Sequence, residues 1–300
     1  MEKNARSTTV SIALNYWPDS ACARAFWGQQ ELPPYQQLLA DTSAWLAPRA
    51  GERWLDLGCG CGKLSEALWR NSGGTLKELI GLDCAADNAQ AYQRLRDRAG
   101  LVDADEKIRF VHGDFSSGLR RWDNGRFDGI VSGLAIHYAE SYSQELGRWT
   151  TEAYDRLLAD VYRLLRDGGT FIFSVNPPEP SFGKVALYSI WGAFEASRVV
   201  RYTERAFRMW RYGAWLKREA RKGRFHYLPL ATVVRKLTEI GFTNIEHRLS
   251  FAGQAYLIRC RKPSAKVIVR ERPQPALRNR RSRFASPVGR KNDRLATAAS

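Results

Sequence analysis

Apolar positions along this chain recur with two periods. Short, nearly continuous apolar runs cover 53–57, 78–83, 108–112, 127–132 and 170–175, the length expected of strands buried on both faces. Between them the spacing changes to three and four residues, which predicts helices near 63–72, 86–98 and 151–166. Strand and helix alternate at the distances of βαβ units, so the expected class is α/β with a doubly wound sheet. A further helix over 229–240 stops at Gly241, and two more strands follow at 243–250 and 254–261, making seven. Residues 176–227 fall between the fifth strand and that last helix as a helical insert.

The first strand runs into Leu55-Asp56-Leu57-Gly58-Cys59-Gly60-Cys61-Gly62. Three alternating glycines between a strand and a helix N-terminus let the chain turn sharply and bring bare backbone close to a ligand. Asp83 ends the second strand about 20 residues further on, where an acid reaches a ribose hydroxyl pair. A nucleoside site follows. The spacing is Gly-x-Gly-x-Gly rather than the Gly-x-Gly-x-x-Gly of dinucleotide sites, and Lys63 is followed by Leu64 rather than by the Ser or Thr of a phosphate loop. Asp56, two residues before the first glycine, would repel a phosphate and attract a cation. These residues suit a nucleoside with a cationic, amino-acid-like tail.

Taken together, Leu-Asp-Leu-Gly-Cys-Gly-Cys-Gly (55–62) resembles the first motif of class I S-adenosylmethionine-dependent methyltransferases, and Gly81-Leu82-Asp83 resembles their second. Val111-His112-Gly113-Asp114-Phe115 is similar to the third, in which the acid contacts the adenine amino group. Phe127 to Ser132 with Leu134-Ala135-Ile136-His137-Tyr138 resembles the fourth strand and its loop, and Arg163 to Ser174 the turn into the fifth. The pattern is similar to the type 11 and ubiquinone-biosynthesis small-molecule enzymes. The resemblance implies a Rossmann-like seven-stranded sheet closed by an antiparallel β-hairpin, with S-adenosyl-L-methionine as cofactor. It implies Asp56, Gly58, Cys59, Gly60 and Gly62 around the methionine part, Asp83 with Cys84 at the ribose, Asp114 and Phe115 at the adenine, and Leu134 facing the methyl. His137 and Tyr138 are placed to meet the acceptor, His137 as the candidate base because imidazole titrates near neutral pH. The competing reading of His137 is a group that packs beside the cofactor. His112, inside a strand, is expected to be structural, and His226 borders the insert. Asn176-Pro177-Pro178-Glu179 reads as a rigid exit into the insert.

Composition narrows the surroundings of that core. The chain of 300 residues is 44% apolar, with no run long enough to span a bilayer and no signal-peptide core at its start. Five scattered cysteines make no metal-binding cluster, so no metal is expected and a reduced cytoplasm is the expected location. The net charge of +16 is uneven: residues 198–224 and 263–300 each hold ten Lys/Arg against two acids, which leaves the remainder neutral. The expected organisation is an N-terminal helical lid over 1–46 with Tyr16 and Trp17, a methyltransferase domain over 47–262, and a basic, disordered tail over 263–300.

Within the insert Arg198, Arg201, Arg205 and Arg208 share one helical face, with Ala206, Phe207, Trp210 and Ala214 on another side. Such a helix can lie on an anionic membrane through 198–222, making the protein peripheral there, or cover a pocket for an amphiphilic acceptor. Its plainer reading is a lid whose apolar face packs on the sheet domain while the arginines are solvated. Tyr188, Trp191, Phe194 and Tyr202 suggest an apolar or ring-containing acceptor. The leading function is methylation of a small molecule at oxygen, nitrogen or carbon. The alternatives are an RNA or DNA methyltransferase guided by the basic segments, and a cofactor-binding protein without turnover.

Overall fold

The computed structural model describes residue 17 and residues 27–100, 107–195 and 199–264. The strands are β1 (Arg53–Leu57), β2 (Glu78–Asp83), β3 (Ile108–His112), β4 (Phe127–Gly133), β5 (Ser141–Ser143), β6 (Arg148–Thr150), β7 (Leu165–Val175), β8 (Thr243–Ser250) and β9 (Ala255–Arg261). The helices are α1 (Pro33–Ser43), α2 (Lys63–Asn71), α3 (Asn88–Ala99), α4 (Glu152–Leu164), α5 (Phe182–Glu195), α6 (Val199–Arg221) and α7 (Leu230–Ile240).

Seven strands form one sheet in the order β3-β2-β1-β4-β7-β9-β8. The first five are parallel and β9 is antiparallel to both neighbours, giving the expected doubly wound sheet with its closing hairpin. Alternation within each central strand feeds two cores. Leu55, Leu57, Ile80 and Leu82 face α4 and α7 and pack with Tyr154, Leu157 and Leu237, whereas Trp54 and Leu79 face α2 and α3 with Leu68 and Tyr92. Trp54 lies over Gly129, its register partner on β4, where a Cβ would stand 2.4 Å from the ring. Strand order reverses between β1 and β4, and the crevice beyond their carboxyl ends is where an open α/β sheet takes a ligand. Ser132 of β4 donates to the Leu57 carbonyl at 2.7 Å and locks the two strands together there.

Three features depart from the sequence expectation. The small antiparallel pair β5–β6 follows the fourth strand, unannounced by any apolar run. β7 begins at Leu165 rather than at 170, through a register shift opposite Phe127–Gly129. On α6, Phe207 and Trp210 face outward, so in this part the apolar side does not pack on the sheet. Arg198, Tyr16, residues 265–300 and most of 1–26 lie outside the described residues, as do the side chains of Trp191, Phe194, Arg201, Tyr202, Arg205 and Arg208.

Candidate functional site

The loop after β1 is shaped by φ angles that side chains disfavour. Gly58, Gly60 and Gly62 have φ of 66°, 49° and 75°. At Gly58 a Cβ would stand 2.3 Å from that of Ala135, so the loop after β4 closes directly on it. Nothing lies within 4 Å of a Cβ built on Gly60, whose open side faces the crevice. The Gly58 and Cys59 N–H groups donate to the Leu82 carbonyl, and the Gly60 N–H donates to Asp83 Oδ2 at 2.9 Å. Asp83 Oδ1 accepts from the Ala85 N–H at 2.8 Å. One carboxylate therefore latches the glycine loop to the end of β2 and still lines the cavity. Burial raises its pKa against the pull of these backbone donors.

Asp56 sits on the α2–α3 side of β1 and is 1% exposed. Its Oδ2 accepts from the Ser65 hydroxyl at 2.8 Å, while Oδ1 has no hydrogen-bond partner. Burial pushes this carboxyl up to about 7, Ser65 lowers it and the nearby Asp83 charge raises it further. A buried, half-satisfied carboxylate is costly on its own and is relieved by a cation or a donor.

The main cavity, of about 160 Å³, lies over Gly58, Gly60, Asp83 and Cys84. A smaller one of about 90 Å³ shares Gly58, Gly60, Cys61 and Leu134 with it and reaches Asp56 and Cys59. Leu134 forms a common wall with φ of 51°, a conformation rare for its type. Its N–H is held between the Ser174 hydroxyl (3.0 Å) and carbonyl (3.2 Å), which fixes the strained turn. Phe115 lines the main cavity. Asp114 instead caps the short turn after β3, accepting from the Ser116 N–H at 2.8 Å, and is not among the lining residues. Gly62, the residue before α2, backs onto the Tyr92 ring, not the cavity.

The far side of the cavity is aromatic. Trp17, Tyr35, Tyr138, Phe182 and Phe251 line it, with Trp17 and Tyr138 rings 4.5 Å apart. The Tyr138 and Tyr227 hydroxyls lie 3.2 Å apart, and burial keeps the Tyr138 phenol protonated. His137 is fully buried beside Tyr138 and does not line the cavity. Neither of its ring nitrogens meets hydrogen-bond geometry, and burial, helped by His226, drops its pKa to about 3. His226 binds the Ala139 carbonyl through its ring at 2.8 Å. His112 does the same to the Cys84 carbonyl at 2.9 Å.

Several lining residues carried no sequence signal. Trp27 donates to Asn88 at 2.7 Å above Asp83, and Phe251 arrives from the turn between β8 and β9. Asn176, read from the sequence as part of a rigid exit, also lines the cavity and donates to the Gln254 carbonyl at 3.0 Å. Its position immediately after the fifth strand, at the carboxyl edge, was the available clue.

Residues 55–173 match the family model described as a methyltransferase domain. That stretch carries a methyltransferase domain. The loop after β1 and the strands β2, β3 and β4 fall within it, whereas β8 and β9 lie beyond it. No curated protein matches the chain in sequence. Among solved structures it is similar to a chain of the complex between the Haloferax volcanii Trm112 methyltransferase activator and a candidate methyltransferase. The identity is 17%, covering 82% of this chain and 97% of that one, with a TM-score of 0.53. A Haemonchus contortus phosphoethanolamine N-methyltransferase, crystallised with phosphomonomethylethanolamine and S-adenosylhomocysteine, is 14% identical over 82% of this chain and 58% of its own, TM-score 0.52. An O-methyltransferase family protein from Burkholderia thailandensis is 13% identical over 82% and 61%, TM-score 0.51. At these identities the likeness is one of fold.

Proposed function

We propose that the chain transfers a methyl group from S-adenosylmethionine to an apolar or amphiphilic small molecule. The observation that carries the cofactor half is the buried, unpartnered Oδ1 of Asp56 beside a glycine loop open at Gly60. In this reading Asp56 takes the methionyl ammonium, Gly58 to Cys61 follow the methionyl chain, and Asp83 accepts from the ribose hydroxyls. Cys84 lies beside Asp83 at the ribose, Phe115 flanks the adenine on the turn that Asp114 caps, and Leu134 closes the floor. When bound, the sulfonium supplies an electrophilic methyl group and departs neutral. The protein's part is to hold an acceptor about 3–3.5 Å from that methyl and in line with the bond that breaks.

The acceptor half rests on the lining. Asp83 is the one carboxylate, and no Lys or Arg occurs, among the described residues around the main cavity, a poor setting for a phosphate chain. A small apolar body fits its aromatic wall. His137, neutral and behind that wall, packs rather than accepting a proton. Tyr138, also neutral, orients the acceptor by hydrogen bonding. Such a site favours a nucleophile that needs no protein base, an amine before a hydroxyl.

Titration calorimetry with S-adenosylhomocysteine should show binding by the native protein and none by Gly60→Arg, whose side chain occupies the open side of the loop. Equal affinities would remove the assignment. A screen of cell extract with isotopically labelled cofactor, read by mass spectrometry, should place label on a small molecule. Label on nucleic acid alone would move the acceptor to the other class.

A further inference from the structure

The outer face of the α5–α6 hairpin has no partner in the described structure. Phe207 and Trp210 are 60% and 51% exposed, with ring centroids 5.9 Å apart, and Leu187 and Tyr188 on α5 are 55% and 58% exposed. On α6 the exposed positions 207, 210, 211, 214, 218 and 221 recur at three and four residues, so they form one stripe. Apolar residues occupy its first part, and Arg211, Arg218 and Arg221 its remainder. Gly213 seats Phe182 against α6, and a three-residue link joins the two helices, so they run antiparallel. About one and a half turns from that contact, Leu187 and Tyr188 come level with Phe207. Glu179 pairs with Lys217 at 2.6 Å and reaches Arg221 only at 4.0 Å, as Glu219 reaches Arg218 at 4.0 Å, long contacts that leave the two arginine side chains 69% and 67% exposed.

We propose that this face docks on an anionic lipid surface, with Leu187, Tyr188, Phe207 and Trp210 among the headgroups and Arg211, Arg218 and Arg221 against lipid phosphates. Aromatic and aliphatic side chains flanked by arginines are the composition of an interfacial helix. The excess of cations over 198–224 supplies charge complementarity and disfavours a second copy of the same face. A nucleic acid would use the arginines and stack on the rings, but it gains nothing from Leu187 or Ala214. No described helix is long and apolar enough to cross a bilayer, so the contact is peripheral. On the inner side of the same hairpin Phe182 and Leu216 line the main cavity. Docking would therefore bring the hairpin that borders the site against the lipid, which matters for the acceptor only on the small-molecule reading above; the docking itself does not depend on it.

The test is sedimentation of the full-length protein with vesicles of phosphatidylcholine alone or mixed with phosphatidylglycerol. Partitioning should rise about tenfold with the anionic lipid and fall with added salt. Phe207→Ser with Trp210→Ser should lose about tenfold, and Arg211→Gln with Arg218→Gln and Arg221→Gln should reduce binding to that seen on phosphatidylcholine. All these side chains are exposed, so thermal unfolding and S-adenosylhomocysteine affinity should stay unchanged, which separates docking from the cofactor site. Equal pelleting of the native and variant proteins would overturn the proposal. So would loss, in the Phe207/Trp210 variant, of self-association in the ultracentrifuge or of single-stranded RNA binding while vesicle binding persists.

Discussion

A single carboxyl group sets the pH behaviour of the cofactor site. Asp56 is pushed to about 7 chiefly by burial. Its folded pKa lies above the unfolded value, so the ligand-free fold is favoured by the protonated acid. That contribution is full at low pH and is lost as the pH rises through about 7. A ligand ammonium has the opposite preference, since it pairs with the ionised form. Affinity for S-adenosylhomocysteine should therefore rise between about pH 5 and about pH 7, approaching tenfold per unit on the acid side. Asp56→Asn should bind more weakly and show a flat profile, because the amide cannot ionise. Calorimetry across that range checks both, and an unchanged slope in the variant would show that another group controls binding. The glycines beside Asp56 were legible because positive φ leaves a mark in composition. Its unpaired Oδ1 was not, since Ser65 can satisfy one oxygen only in the folded geometry.

Elements were legible where both faces of a strand are covered, and less so where tertiary contacts choose between faces. β1 and β2 fall where the apolar runs put them, because strands buried on two sides admit little polar sequence. Ser-Tyr-Ser and Arg-Trp-Thr of β5 and β6 are too short and polar to register; they are held by cross-strand packing of Tyr142 on Trp149, 5.2 Å apart. The periodicity of α6 defined its stripes but not which one turns inward. Gly213 and Leu216 decide it by fitting Phe182 and the cavity, and Glu219 turns inward because Arg224 pairs with it and with Glu140. That packing gives a further expectation. A Cβ on Gly213 would stand 2.3 Å from Phe182, so Gly213→Leu should force the two helices apart and destabilise the fold by about 1–3 kcal/mol. Phe182 borders the acceptor side, so KM for the acceptor should rise while S-adenosylhomocysteine affinity holds. Thermal unfolding with steady-state kinetics would show the pairing of effects, and a loss confined to cofactor binding would contradict it.

At the scale of the whole molecule, charge and chemistry are separated. The +16 charge resides in the α6 region and in 263–300, whereas the described residues around the main cavity include no lysine or arginine. An acceptor drawn in by phosphate contacts would need cations at the mouth, and none lines the main cavity among the described residues. Basic segments bind polyanions whatever the enzyme does, through release of condensed counterions, with a log-log salt slope of about −0.7 per phosphate neutralised on a single strand. Nucleic-acid binding by this chain is thus expected and uninformative about its substrate unless it is coupled to turnover. Deleting 263–300 removes ten of its Lys/Arg residues. The truncated protein should lose most of its affinity for a short single-stranded RNA and show a shallower salt slope in gel shifts. Its S-adenosylhomocysteine affinity and its transfer to the small acceptor should remain within about twofold of the full chain, since no described residue of the site belongs to that segment. If transfer fell in parallel with RNA binding, the tail would be delivering the substrate, and the apolar cavity would have to be read as the seat of a single flipped base.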